Sequence, residues 1–122
     1  MMLRGLRGAT TVDENSAEAI LDATRELLVA MIEANGVREN EVASIFFSST
    51  SDLTAAFPAG AARDIGWQTV ALMGTQELDV PHGPDRCIRV LMHWNTVKGI
   101  TSLRHCFLHG AKVLRPDWAD GK

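Results

Sequence analysis

One long amphipathic helix constrains the fold of this chain more than any other feature. Asn15 followed by Glu18 predicts a helix N-terminus, and Gly36 predicts the end of the helix. Between them, the residues that form one helical face recur at helical spacing: Ile20, Leu21, Thr24, Leu27, Leu28, Met31 and Ile32. A single stripe of this length is buried by packing against a sheet. We therefore expect strands before and after the helix.

The segments around the helix have the composition of strands and turns. Apolar and β-branched runs predict five strands, over residues 2–11, 42–49, 67–72, 87–96 and 103–114. A short second helix is predicted over 59–65, with Pro58 in its first turn and Gly66 at its end. Two prolines and a glycine predict a loop over 81–84.

This order of elements predicts an α+β fold, a mixed sheet of about five strands with one long and one short helix. One long helix covers only one face of such a sheet, so the other face needs a partner and we expect an oligomer. A chain of 122 residues is one domain by size. We place that domain at 1–115 and expect a mobile tail over 116–122.

Composition excludes several classes of function. Twelve basic against fifteen acidic residues leave no basic excess for a nucleic-acid backbone. No apolar run approaches the ~20 residues that span a bilayer, and the N-terminal MMLRGLRGATT lacks the apolar centre of a signal peptide. We therefore expect no nucleic-acid partner, no membrane partner and a cytoplasmic protein, in which Cys87 and Cys106 are reduced.

Covalent and metal mechanisms have no motif in this sequence. A G-x-S-x-G nucleophile turn and a glycine-rich phosphate loop are both absent. Cys87 lies in a predicted strand with no base placed beside it, and His105, Cys106 and His109 lack an evident fourth zinc ligand. We therefore predict no metal and no cofactor.

Charged residues inside apolar strands are the informative positions. Period-2 alternation in CIRVLMHW places Arg89 on the same face as Cys87, away from the apolar Ile88. Arg7 interrupts the first strand, and Glu77 follows the third. Because an unpaired buried charge is costly, each guanidinium requires a partner. Two interpretations stay open: a structural ion pair at an interface, or a pocket for a small dicarboxylate.

Five segments in order resemble the AroH-class chorismate mutases, over about residues 1–118. They are RGLRGATTV, DLTAAFPAGAARDIGW, QELDV, CIRVLMHWNT and LRHCFLHGAKVLRPD. The resemblance implies an enzyme that converts chorismate to prephenate on the route to phenylalanine and tyrosine. It also implies a homotrimer whose sheets pack into a pseudo-α/β barrel, with active sites between subunits. That assembly agrees with the uncovered sheet face expected above.

The resemblance also implies residue roles. Arg7 matches an arginine that holds a substrate carboxylate, Glu77 a glutamate that accepts from the ring hydroxyl, and Arg89 an arginine at the breaking ether oxygen. Other matched substrate-binding positions are Phe57, Ala59 and Arg63 from the neighbouring subunit, the wall residues Leu72, Met73 and Gly74, Phe107, and the start of the closing tail, Leu114 and Arg115.

Three positions depart from the family pattern. Gly60 stands where some members have lysine, Gly74 where a cysteine can occur, and Phe107 where a tyrosine often occurs. None belongs to the charged trio, so we expect retained activity with weaker substrate binding. Two alternatives stay open: a RidA-like trimer that binds small molecules or deaminates imines, and a mutase relative without activity.

Overall fold

The computed structural model describes residues 1–118. Its helices and strands, in chain order, are β1 (Met2–Thr11), α1 (Ala17–Asn35), β2 (Val42–Ser49), α2 (Gly60–Asp64), β3 (Ala71–Gln76), β4 (Cys87–Thr96) and β5 (Cys106–Phe107). Short 3₁₀ turns follow α1 and β4, and two more follow β5. The α+β class is confirmed, and in the described part of the chain no helix is long and apolar enough to cross a membrane.

The five strands form one mixed sheet in the order β3-β2-β4-β1-β5. The central strand β4 runs antiparallel to both β1 and β2, while the two outer strands run parallel to their neighbours. Helix α1 covers one face, where it buries a core that includes Leu6, Ile45, Phe47, Val90 and Met92. Strand alternation sends Arg7 and Arg89 to the other face, as the alternation in β4 predicts.

The ends of α1 show one correction. The N-cap is Ser16, whose hydroxyl accepts from the Ala19 N–H at 3.1 Å, and not Asn15. Asn15 instead braces the loop after β2, where its side-chain oxygen accepts from the backbone N–H groups of Thr54 and Ala55. The predicted end of the helix at Gly36 is confirmed. Gly36 adopts φ 73°, and its N–H donates to the Ile32 carbonyl at 2.8 Å.

Strand β3 begins later than the predicted strand over 67–72. The Trp67 N–H still closes the end of α2 by donating to the Ala62 carbonyl at 2.9 Å. Thr69 then donates from its N–H and its hydroxyl to Glu39, at 2.8 and 3.1 Å. These contacts hold the connection away from the sheet edge, so pairing with β2 starts at Ala71.

The last predicted strand, 103–114, is wrong in length. Only Cys106 and Phe107 pair with β1, because His109 takes a left-handed φ of 52° and the chain turns into a 3₁₀ segment at His109–Val113. Of the predicted mobile tail, Pro116–Trp118 form another 3₁₀ turn, and 119–122 lie outside the described residues.

The face of the sheet opposite α1 carries exposed apolar side chains. Leu3, Phe46 and Met73 are 53%, 42% and 58% exposed. His93 stacks edge-on against Phe46 and shares a hydrogen bond with Ser44 at 3.0 Å. Burying this patch in an oligomer would remove apolar area from water, and the oligomer itself stays a prediction.

Candidate active site

Three charged side chains converge at one corner of the uncovered sheet face. Arg7 projects from β1 and Arg89 from β4, which is hydrogen-bonded to β1. Glu77 lies one residue beyond β3, and its N–H extends the ladder by donating to the Ser49 carbonyl at 2.8 Å. The structure therefore brings together the two arginines that interrupt apolar strands and the glutamate that follows β3.

Arg89 and Glu77 form an ion pair that is not a hydrogen bond. The Arg89 Nε lies 3.4 Å from the Glu77 Oε2, and the two side chains are 29% and 26% exposed. Within residues 1–118 the buried Nε of Arg89 has no hydrogen-bond acceptor. An unsatisfied buried donor costs about 1–3 kcal/mol. A ligand oxygen that accepts from this atom would recover that cost.

Sequence reasoning did not identify Ser48, which contacts the pair directly. Its hydroxyl donates to Glu77 Oε2 at 2.8 Å, and Ser48 lies opposite Arg89 in the β2–β4 register. The available signal was alternation in VASIFFSS, which puts Ser48 on the face opposite the buried Phe47.

Arg7 lies in a positively charged neighbourhood. Burial lowers the pKa of its guanidinium, and Arg89 and Arg115 lower it further, whereas Glu77 raises it. The Arg7 Cζ also lies 5.6 Å from the centre of the Phe107 ring, within cation–π range. Three arginines around one glutamate leave a net positive corner, which suits an anion.

His105 fixes the backbone of Arg7. Its Nδ1 accepts from the Arg7 N–H at 3.0 Å. Burial, followed by the charges of Arg7 and Arg115, lowers the pKa of His105, so the imidazole is neutral at pH 7 and can accept. His109 pairs instead with Glu26 at 2.8 Å. The histidines considered as zinc ligands therefore have separate structural partners.

Phe107 forms the floor beside Arg7. It pairs with Ala9 across the β1–β5 register and packs in a small cluster with Cys87 and Ala111, against which Leu114 lies. Burial raises the pKa of the Cys87 thiol, although Arg89 opposes that effect. The buried, protonated thiol therefore acts as a small packing group in this cluster.

Arg115 reaches the same corner from the C-terminal segment. It is close enough to lower the pKa of Arg7, and it also makes a two-pronged pair with Asp117, at 3.1 and 2.7 Å. The residues predicted on this side of the site, Phe107, Leu114 and Arg115, thus lie beside the charged trio.

The remaining predicted residues, apart from Met73, line a separate groove. This groove, of about 490 Å³, is lined by residues of α1, of β3, of α2 and of the segment that leads into α2, among them Phe57, Ala59, Gly60, Arg63, Leu72 and Gly74. Phe57 is 85% exposed. Leu72 faces the α1 side of the sheet, whereas Met73 between Leu72 and Gly74 points to the opposite face. The charged corner and this groove therefore lie on opposite faces of the sheet.

Comparisons with known proteins identify similar chains. Residues 3–118 match the family described as chorismate mutase type I. A relative described as chorismate mutase AroH from Thermus thermophilus is 51% identical over 117 residues, covering 95% of this chain and 96% of the relative. One from Bacillus subtilis (strain 168) is 45% identical over 118 residues, covering 96% and 93%. A solved chorismate mutase from Clostridium thermocellum superposes with a TM-score of 0.89 at 50% identity, covering 90% of this chain and 98% of that one.

Proposed function

Because this chain belongs to the chorismate mutase type I family, we propose that Arg7, Glu77 and Arg89 convert chorismate to prephenate. The chain is a chorismate mutase, an isomerase of aromatic amino acid biosynthesis. The observation that supports this catalytic set is the buried Nε of Arg89, a hydrogen-bond donor without an acceptor among the described residues, 3.4 Å from the Glu77 carboxylate.

The reaction makes few chemical demands. It is a pericyclic shift of electrons within one molecule, and it needs neither a nucleophile nor a proton transfer. The protein has to hold the reactive conformer, which is catalysis by orientation. It also has to stabilise the ether oxygen, which becomes more negative as the C–O bond lengthens. A fixed set of cations and one carboxylate meets both demands.

Each charged residue has a part that fits its position. Arg89 donates to the ether oxygen, because a buried, preorganised guanidinium gains more from the charged transition state than from the ground state. Arg7 binds a carboxylate of the dianionic substrate, above the Phe107 ring. Glu77 accepts from the ring hydroxyl, since its carboxylate is half-buried and still partly accessible.

The second partial site completes the first in a homotrimer. The groove with Phe57, Ala59 and Arg63 lies on the opposite sheet face from Arg7, so it cannot serve the charged corner of its own chain. A neighbour that packs on the exposed Phe46 and Met73 would bring its own groove to that corner. Leu72 and Gly74 would then form the wall contributed by the neighbour.

Purified protein is expected to be a trimer in solution. Light scattering coupled to gel filtration should give the mass of three chains, and activity per chain should fall when dilution dissociates them. A stable monomer that keeps full activity on dilution would overturn the shared site.

Replacing Phe107 with tyrosine should strengthen substrate binding. The added hydroxyl would lie beside Arg7, where it can donate to a carboxylate, and one such bond corresponds to about a two- to tenfold lower KM. The measurement is steady-state kinetics with chorismate, with kcat expected to stay near its original value. An unchanged KM would mean that the aromatic ring is the whole contribution.

The deciding experiment adds chorismate to the protein and follows the loss of its ultraviolet absorbance. Acceleration over the uncatalysed rate supports the proposal, and no acceleration at micromolar protein favours the inactive relative. The family match favours the mutase over the RidA-like alternative. The cytoplasmic location stays a prediction.

A further inference from the structure

Ser48 is the one neutral side chain that hydrogen-bonds the Glu77 carboxylate among the described residues. Its position is set by the sheet: β2 lies between β3 and β4, so Ser48 is flanked by Thr75 on one side and by Arg89 on the other. The hydroxyl therefore sits between the strand that leads to Glu77 and the strand that carries Arg89.

The hydrogen bond and the ion pair use the same oxygen. Ser48 Oγ lies 2.8 Å from Glu77 Oε2, and Arg89 Nε lies 3.4 Å from that oxygen without a hydrogen bond. A charge-assisted N–H···O bond would be shorter, about 2.7–2.9 Å. The serine hydroxyl therefore holds Oε2 by a hydrogen bond, in a position that is near the guanidinium but beyond hydrogen-bonding geometry.

We propose that Ser48 is a positioning residue that keeps Glu77 and Arg89 apart, so that both remain available to the substrate. This inference rests on the proposed function of the pair. Without the hydroxyl, Oε2 loses its donor and moves onto Arg89 Nε. Glu77 then competes with the ether oxygen for the Arg89 guanidinium. In the same way, Arg89 competes with the ring hydroxyl for the Glu77 carboxylate.

The test compares Ser48→Ala with wild type in chorismate kinetics. We expect kcat to fall about tenfold, equivalent to ~1.4 kcal/mol of barrier, with little change in KM. Ser48→Thr, which keeps the hydroxyl, should retain most of the activity. Ser48→Cys, which keeps the size but donates weakly, should resemble the alanine variant and serves if the alanine variant folds poorly.

Ser102→Ala is the control. Ser102 is exposed in the 3₁₀ turn Ile100–Ser102, outside β2 and the charged corner, so its kcat should stay within about twofold of wild type, the scatter of independent sites. In a Glu77→Gln background, Ser48→Ala should have almost no further effect, because its action passes through the carboxylate. A merely structural serine would give the same loss in both backgrounds.

A crystal structure of Ser48→Ala separates this inference from the function. The distance from Glu77 Oε2 to Arg89 Nε should close from 3.4 Å to hydrogen-bonding distance. An unchanged distance, a wild-type kcat, or an equal loss in the Glu77→Gln background would overturn the positioning role. If wild type itself does not convert chorismate, the proposed function fails, while the distance still decides what Ser48 does.

Discussion

Replacing Arg89 with alanine is expected to lower kcat at least ~10²-fold, the scale for removing one preorganised donor at a developing negative charge. The buried Nε of Arg89 makes no hydrogen bond within residues 1–118, so its full donor capacity is available to a reacting oxygen. Removing it takes away an interaction made mainly in the transition state. The loss should therefore fall on kcat more than on KM.

Two further variants sharpen this prediction. Arg89→Lys should also have a low kcat, because an ammonium group supplies a point charge and cannot reproduce the planar fork of a guanidinium. Arg104→Ala is the control, since Arg104 is exposed and lies outside the charged corner. A thermal unfolding scan shows whether Arg89→Ala is folded. An alanine variant with near-normal turnover and a normal unfolding temperature would remove Arg89 from the mechanism.

Gly8→Val is expected to cause a large loss of stability, because the added side chain meets the packed face of α1. A Cβ at Gly8 would lie 2.4 Å from the sulfur of Met31 and 3.0 Å from a methyl group of Leu27. Both side chains of α1 are fully buried, so neither has open space to move into. Overpacking of this kind costs about 1–3 kcal/mol. Because valine adds more atoms than alanine, Gly8→Ala should cost less.

Urea denaturation measures the free energy of unfolding for this series. Gly99→Ala is the control, because nothing lies within 4 Å of a Cβ at that turn. Met31→Ala should restore part of the stability of Gly8→Val, since it removes the clashing side chain. A Gly8→Val protein as stable as wild type would mean that α1 does not press against β1 as closely as the structure has it.

The fold was predictable where local pattern decides it. The strands β1, β2 and β4 match the predicted bounds, because each is an apolar run that ends at polar or turn residues. The start of β3 depends on Thr69 bonding to Glu39, thirty residues away, and the length of β5 on the left-handed turn at His109. Contacts between distant parts of a chain leave no local signal.

The site was predictable where a residue breaks the local pattern. Arg7 and Arg89 are charged residues in otherwise apolar strands, and such positions are recognisable from the sequence. Ser48 is an ordinary residue in a strand, and its bond to Glu77 depends on the register of three strands. Met73 and Gly74 point to opposite faces because both lie within β3. The strand predicted over 67–72 ends before them, so their orientation was not predicted.

The two partial sites on opposite faces of one sheet have a genetic consequence. In the proposed trimer, the charged corner of a chain and its groove serve different active sites, so a damaging substitution disables a site that the chain shares with one neighbour. In a cell with two alleles, the sites are mosaics of both gene products. Two alleles damaged on opposite faces could then complement each other, because some mixed trimers combine an intact corner with an intact groove.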